Sequence, residues 1–455
     1  MKMSRLVVCA TLALAAVLSL DAAQASYTQK ILYTLMGSAD GGNPTGLLTA
    51  DSEKNLYGVA GSGGSAECDN GDNNGAIGCG LVFEITPTGS ELVLHTFLGA
   101  TASDGASPVG GVIRNTAGTL FGATAQGGTA GPGQCTHGCG AVFSLTSTGT
   151  LTILHAFTGG SDGQGPSDGL LMDSKKNLYG MTLAGGSTSH CGDKDAPGCG
   201  TVFKVTAANK ESVLHHFVGG SDDGAYPIGS LVEDSDGNLY GTTVAGGSTG
   251  SCGILKRQGC GIVFELATNG TLSILHAFSG GSDGAYPTGA LFFDGEGNLY
   301  GTTVGGGSDA NCGVGPYGCG TVFKIAAVGG GESVLYAFQG GTDGGYPTSG
   351  VVADSDDNLY GVTAAGGGTG NCGFKNKKLT LKGCGTAFEI AAAGGESILH
   401  VFSGKKGAGG YPIFGLIQNK AGTFFGATTS GGVTGCTSGA GVLNCGTVYD
   451  LKLKK

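Results

Sequence analysis

The chain has 455 residues, 95 of them Gly and none Trp, and carries a formal net charge of −11. That length would fill two or three ordinary domains, and the acidic balance speaks against duplex nucleic acid as a partner, since such binding rests on clustered Lys and Arg. Glycine at this level would signal disorder in an aperiodic chain; here it recurs at fixed offsets, where turns need a left-handed backbone or another segment passes close by.

In chain order, residues 1–25 read as a secretory leader. Lys2 and Arg5 precede the apolar run Leu6–Leu20, and Ala23-Gln24-Ala25 is a small-residue cleavage site. The run is shorter than the roughly 20 residues that span a bilayer. An exported protein is therefore expected, periplasmic or extracellular, with no membrane span once the leader is removed. Residues 26–455 then form a single domain.

The next apolar segment, Lys30–Met36, is a strand without a partner before it. Seven copies of one unit follow, with Tyr57, Phe121, Tyr179, Tyr240, Tyr300, Tyr360 and Phe425 at the same place in each. The copy from Ser282 to Gly341 shows the pattern. Ser282–Gly289 is rich in turn formers. Ala290–Phe293 is a short apolar strand, Asp294–Gly297 a turn, and Asn298–Val304 a second strand. A Gly-rich loop with Cys312 and Cys319 precedes the alternating third strand Gly320–Ile325, and Glu332–Phe338 is the fourth. Short strands with regular turn signals and no helical period mark an all-β chain.

A four-stranded unit repeated radially is a propeller blade. The final segment, Gly446–Leu451, matches a third strand and has no fourth after it, while Lys30–Met36 matches a fourth strand with no first three before it. The prediction is a seven-bladed β-propeller whose last blade is completed by the N-terminal strand, so that no inter-blade edge stays open. A monomer is expected.

Cys9 leaves with the leader. The other cysteines fall two per repeat, between the second and third strands: Cys68/Cys79, Cys135/Cys139, Cys191/Cys199, Cys252/Cys260, Cys312/Cys319, Cys372/Cys384 and Cys436/Cys445. One pair per blade in an exported protein reads as seven local disulfides, each worth roughly 2–3 kcal/mol by loop closure. A shared metal–thiolate site would need four ligands together.

The pattern Gly-Asn-Leu-Tyr-Gly-Thr-Thr-x-x-Gly-Gly followed by Gly-Cys-Gly-Thr-Val-Phe runs through Asn238–Gly247 with Gly259–Phe264, and again through Asn298–Gly307 with Gly318–Phe323. It resembles the tandem GloVer repeat of bacterial exported, choice-of-anchor proteins, over essentially the whole mature chain. The resemblance implies a location on or outside the cell, often through a C-terminal anchor, which is not recognised in this sequence. It implies no catalytic residues.

Several recurring side chains are candidate sites. Asp104, Asp162, Asp222, Asp283 and Asp343, with Asp40, stand in the links between blades. They would either ring the channel mouth and hold a hard cation such as Ca²⁺, or cap their own turns through backbone amides. Tyr226, Tyr286, Tyr346 and Tyr411 precede Pro in four successive links. They would either present rings to a sugar or a partner or pack between blades. His95, His155, His215, His276 and His400 share one position on the fourth strand, with Tyr33 and Tyr336 in the other two blades, which suits a structural hydrogen bond. Asp234–Asn238 and Asp354–Asn358 resemble calcium loops but correspond to turns that carry Lys elsewhere, and so read as hairpins. Gly246–Gly250 matches a nucleophile elbow without the strand-to-helix turn that an elbow needs.

The expected function is a non-catalytic binding or structural module for an extracellular polysaccharide or a surface protein, needing no cofactor. The alternative is a propeller enzyme of lyase, glycosidase or lactonase type, with its site at the channel mouth. An enzyme would break the symmetry with convergent acid and base groups on a few blades.

Overall fold

The computed structural model describes residues 27–454 except 38, 65–67, 69–77, 100–102, 129–134, 136, 188–190, 192–196, 253–257, 309–317, 328–329, 372–374, 377–378, 381–382, 433–435, 439–440 and 444. The expected leader lies outside the described residues. All regular structure among those described is β: seven antiparallel blades and two short hairpins, Lys375–Asn376 with Leu379–Thr380 and Cys436–Ser438 with Gly441–Leu443. The fourth blade shows the order from the axis outwards: Gly224–Glu233, Leu239–Ser251, Ile262–Leu266 and Leu272–Ala277.

The seventh blade runs Ile417–Gln418, Phe424–Thr428, Thr447–Leu453 and then Tyr27–Thr34 from the other end of the chain. Tyr27 pairs with Leu453 and Thr34 with Thr447. The ring is closed by the N-terminal strand, as expected. The first strand starts earlier than the sequence suggests. Ala285–Pro287, in what reads as a turn, already pairs with the second strand, and the ladder resumes at Phe292–Phe293.

Alternation explains the core. In the first six blades the third strand buries every residue except its fourth, as in Thr321–Ile325 with only Lys324 part exposed. Its Phe lies across the Gly of the neighbouring Leu-Tyr-Gly stretch; a Cβ on Gly301 would stand 2.5 Å from Phe323 Cζ. The same Phe carries the contact between blades. Phe97 stacks edge-on against Phe143 at 5.3 Å, Phe157 against Phe203 at 5.0 Å, Phe217 against Phe264 at 5.3 Å and Phe278 against Phe323 at 5.2 Å. In each case a fourth-strand ring of one blade meets a third-strand ring of the next. At the closing joint Leu35 takes the fourth-strand place, in one core cluster with Phe83.

The hairpins between first and second strands are held by Asp side chains. Asp234 Oδ1 accepts from the amides of Asp236 and Asn238, while Oδ2 accepts from Asn238 Nδ2 and the Tyr240 hydroxyl, each at 2.9 Å. Asp51, Asp173, Asp294 and Asp354 repeat this arrangement. In the two blades where the turn begins with Asn115 or Asn419, the Tyr is replaced by Phe121 or Phe425. The phenol is present where a carboxylate can accept its hydrogen bond. These are hairpin turns, and their Asp–Asn–Tyr sets account for the likeness to calcium loops.

Deleting residues 27–36 should leave Thr447–Leu453 as an open edge and expose the seventh blade's core. Calorimetry should show the melting temperature falling by more than about 10 °C; an unchanged transition would mean that this strand does not close the ring.

Candidate functional site

Four disulfides are formed among the described residues: Cys68–Cys79, Cys135–Cys139, Cys191–Cys199 and Cys252–Cys260, with Cα separations of 5.2–5.4 Å. Cys319, Cys384 and Cys445 are also disulfide-bonded. Cys312, Cys372 and the Cys436 side chain lie outside the described set.

The second cysteine of six pairs accepts from the link into the next blade. Tyr226 N–H donates to the Cys199 carbonyl at 2.8 Å, Tyr286 to Cys260 at 2.8 Å, Tyr346 to Cys319 at 2.8 Å and Tyr411 to Cys384 at 2.9 Å. These tyrosines have φ between 54° and 58°, a left-handed conformation that bulky residues rarely adopt. Asn43, Ser107 and Gly165 hold the same conformation in the other links. The ring provides the compensation: the four tyrosines are only 1–6% exposed and sit in the inter-blade cores. Of the two readings of these residues, their burial fits packing between blades and leaves no exposed ring face for a sugar or partner.

The link carboxylates are likewise drawn inward. Asp104 lies 3.2 Å from His95 Nε2 and accepts from the amides of Leu98 and Gly105. Asp162 lies 3.3 Å from His155 and takes Thr158 N–H and O–H. Asp283 pairs with His276 at 3.3 Å, and Asp343 and Asp40 accept from the Tyr336 and Tyr33 hydroxyls. In the fourth link the clasp is made by Asp223, which lies 3.2 Å from His215 and accepts from Val218 N–H. The expected Asp222 is exposed and bonds Ser221. Two adjacent acids hide the register from sequence alone. Each clasp lies against the outermost strand of its blade, away from the axis. The expected ring of cation ligands is thus a set of separate turn clasps, and no cluster of three or more metal-ligating side chains occurs among the described residues.

A glutamate from the following blade packs against four of these clasps. Glu91, Glu332 and Glu396 are pushed up to about 7 by burial, reinforced by Asp40, Asp283 and Asp343 respectively. Glu211 is raised by burial beside Asp162. One oxygen of each is buried without a hydrogen-bond partner. The last link has no Asp, Gln29 stands where the Glu would be, and burial lowers His400 to about 4.

The axis presents a different surface. The first strands enclose a channel of about 530 Å³, lined by residues such as Leu47, Val112, Leu170, Ile228, Leu291 and Val352. Most hydroxyls here are already bonded: Thr45 donates to the Pro108 carbonyl at 2.6 Å and Thr348 to that of Ile413 at 2.8 Å, each across a blade boundary. Asp168 is the one ionisable side chain among the described lining residues. It sits deep in the molecule but is reached by solvent through the channel, being half-buried by exposure. Burial raises it to about 6, opposed by the bond from Gly169 N–H at 2.7 Å. In the sequence it is inconspicuous among many Asp-Gly pairs, and it was not among the expected site residues. The available signal was its position two residues after Pro166, where four other blades have Gly.

Comparisons with known proteins agree with this architecture. A family model described as the Gloeobacter/Verrucomicrobia repeat matches residues 70–314 and 255–454. No curated protein matches the sequence. Among solved structures, the extracellular domain of a protein described as a hybrid two component system, BT3049 from B. thetaiotaomicron, is 11% identical with a TM-score of 0.50; the match covers 94% of this chain and 41% of that one. A Bacteroides uniformis protein described as a 6-phosphogluconolactonase is 13% identical, with 88% and 99% covered and a TM-score of 0.47. A luciferin-regenerating enzyme is 12% identical, with 94% and 95% covered and a TM-score of 0.43. At 11% identity the likeness to the BT3049 domain concerns fold alone.

Two outcomes are expected. Asp223→Ala should cost about 1–3 kcal/mol, because it strands buried amides, whereas Asp222→Ala should stay within about 0.5 kcal/mol; equal effects in denaturant titrations would reverse the assignment. The second concerns pH. An acid whose folded pKa is raised stabilises below its unfolded value of about 4.3 and loses that contribution as pH rises through the folded value. For Glu91, Glu332 and Glu396 the window runs up to about 7. His400, lowered to about 4, works in the opposite sense below its ordinary value of 6.5. Three groups outweigh one, so the protein should melt a few degrees higher at pH 5.5 than at pH 7.5. Changing all three Glu to Gln should reduce that difference to the smaller share of Asp168 and Glu211; an undiminished slope in the triple variant would count against them as its source.

Proposed function

The chain belongs to the Gloeobacter/Verrucomicrobia repeat family, and on that footing we propose that it is an exported, disulfide-stapled, non-catalytic binding module for an extracellular polysaccharide or a surface protein. In this reading residues 1–25 are a removed leader and residues 26–455 a single monomeric propeller. The disulfides fit an oxidising compartment, and no helix among the described residues is long and apolar enough to cross a membrane.

One observation carries the proposal. In six of the seven links an Asp is held against the His or Tyr of the preceding fourth strand, so these repeated polar groups serve the scaffold. The ligand then falls to the face that carries the Cys loops, because loops on a rigid support are where binding residues collect.

A second reading, an enzyme of lyase, glycosidase or lactonase type, is favoured by Asp168 alone. A carboxyl raised to about 6 suits a general base. It would still need a partner acid or nucleophile, and no other described lining residue of the channel is ionisable.

Mature protein incubated with bacterial and plant polysaccharides, with and without chelator, tests both readings. Co-sedimentation without soluble products is expected. Products that disappear with Asp168→Asn would establish the enzyme instead, and chelator-sensitive retention would restore a cation to the binding site.

A further inference from the structure

The inner strands depart from sevenfold symmetry at one register. Two residues beyond the Pro of each link stand Gly46, Gly110, Asp168, Gly229, Gly289, Ser349 and Phe414. The four glycines are imposed by packing at the axis. A Cβ on Gly110 would fall 1.7 Å from Gly169 N, and one on Gly289 would fall 2.2 Å from Gly350 N. In the other three blades the glycine comes one residue later, as Gly169, Gly350 and Gly415. That shift allows side chains at positions 168, 349 and 414, and all three line the channel.

By blade order, Asp168 in the third blade stands across the axis from Ser349 in the sixth and Phe414 in the seventh. The Ser349 hydroxyl is buried, with the residue only 7% exposed, and has no hydrogen-bond partner. An orphan of this kind costs stability unless something occupies the space beside it. Phe292 adds a second aromatic ring to the same channel. One carboxylate, the buried orphan hydroxyl of Ser349, two aromatic rings and apolar walls therefore share a cavity of about 530 Å³, within the roughly 300–1,000 Å³ of small-molecule sites.

We propose that the axial channel is a binding site for a small organic ammonium ion, with Asp168 as its counter-ion, Phe414 and Phe292 as cation–π partners and Ser349 as a hydrogen-bond partner. This goes beyond the polysaccharide or surface-protein reading, because it uses different residues at the axis. A hard metal ion fits less well. Ca²⁺ takes 6–8 oxygen ligands, and the lining offers one carboxylate among largely aliphatic side chains. A quaternary ammonium gives up little hydration, keeps its charge at every pH and is attracted to aromatic faces.

Choline serves as the probe, and 3,3-dimethyl-1-butanol, of nearly the same shape without charge, as its control. Titration calorimetry should show choline binding at least tenfold tighter than the alcohol. Asp168→Asn should weaken choline at least tenfold and leave the alcohol unchanged. The substitution removes a charge that burial disfavours, so the variant should fold and melt no lower than the parent. Ser349→Phe provides a second, steric test, since Phe414 shows that this register accepts a large ring; it should abolish binding of both probes. Choline affinity should also fall below pH 6 as Asp168 takes up a proton. Equal affinity for choline and the alcohol, full choline binding by either variant, or no choline binding at tens of millimolar would overturn the proposal. So would a melting-temperature rise with calcium chloride that depends on Asp168 and is not seen with choline.

Discussion

The molecule depends on the edge-to-face contact between an aromatic ring on the fourth strand of one blade and a ring on the third strand of the next. The joints Phe97–Phe143, Phe157–Phe203, Phe217–Phe264, Phe278–Phe323, Phe338–Phe388 and Phe402–Tyr449 all have centroids 5.0–5.3 Å apart. Each such pair contributes about 0.5–1.5 kcal/mol beyond the area it buries. More importantly, it sets the rotation between neighbours. A ring of blades closes only if that rotation is the same at every joint, and Leu35 supplies the apolar contact where the two ends of the chain meet.

Polar side chains follow from the same constraint. Each link must turn back from the outermost strand to the axis in a few residues, and the Asp–His or Asp–Tyr clasp satisfies the amides of that turn. The residue before Pro must then adopt a left-handed backbone to reach the Cys carbonyl of the preceding blade. Where Asn, Ser or Gly stands there the backbone cost is small; where Tyr stands there, ring burial offsets it. The alternation of Glu, Leu and Gln on the fourth strand, at Glu91, Leu151, Glu211, Leu272, Glu332, Glu396 and Gln29, shows the fold accepting different neighbours beside the clasp. Gln29 stands at the one joint where the link has no carboxylate.

A scaffold that uses its repeated groups in this way leaves specificity to positions where the repeat fails. One set of such positions among the described residues lies at the axis. The inner strands approach so closely that most blades can place only glycine there, and a one-residue displacement of that glycine allows Asp168, Ser349 and Phe414. The periphery is chemically near-uniform around the ring, while the channel has a charged side and an aromatic side.

Much of this was legible from the residues. The strands, the hairpin turns, the pairing of cysteines within each blade and the closure by Lys30–Met36 all depend on interactions local to one repeat, or on counting which strand is missing at each end. The His and Tyr of the fourth strand could be read as structural, since they stand one per blade, too far apart to share a metal, and exchange between them suits a hydrogen-bonding role. What the residues alone left open lies between repeats. Whether Tyr226, Tyr286, Tyr346 and Tyr411 faced solvent or core depended on how far one blade leans over the next. The choice between Asp222 and Asp223 depended on where His215 sits in space. Asp168 looked like any other Asp-Gly until the inner strands were brought together around an axis. Sequence periodicity records the contacts that every blade shares; the contacts that differ from blade to blade become visible only when seven copies are closed into a ring.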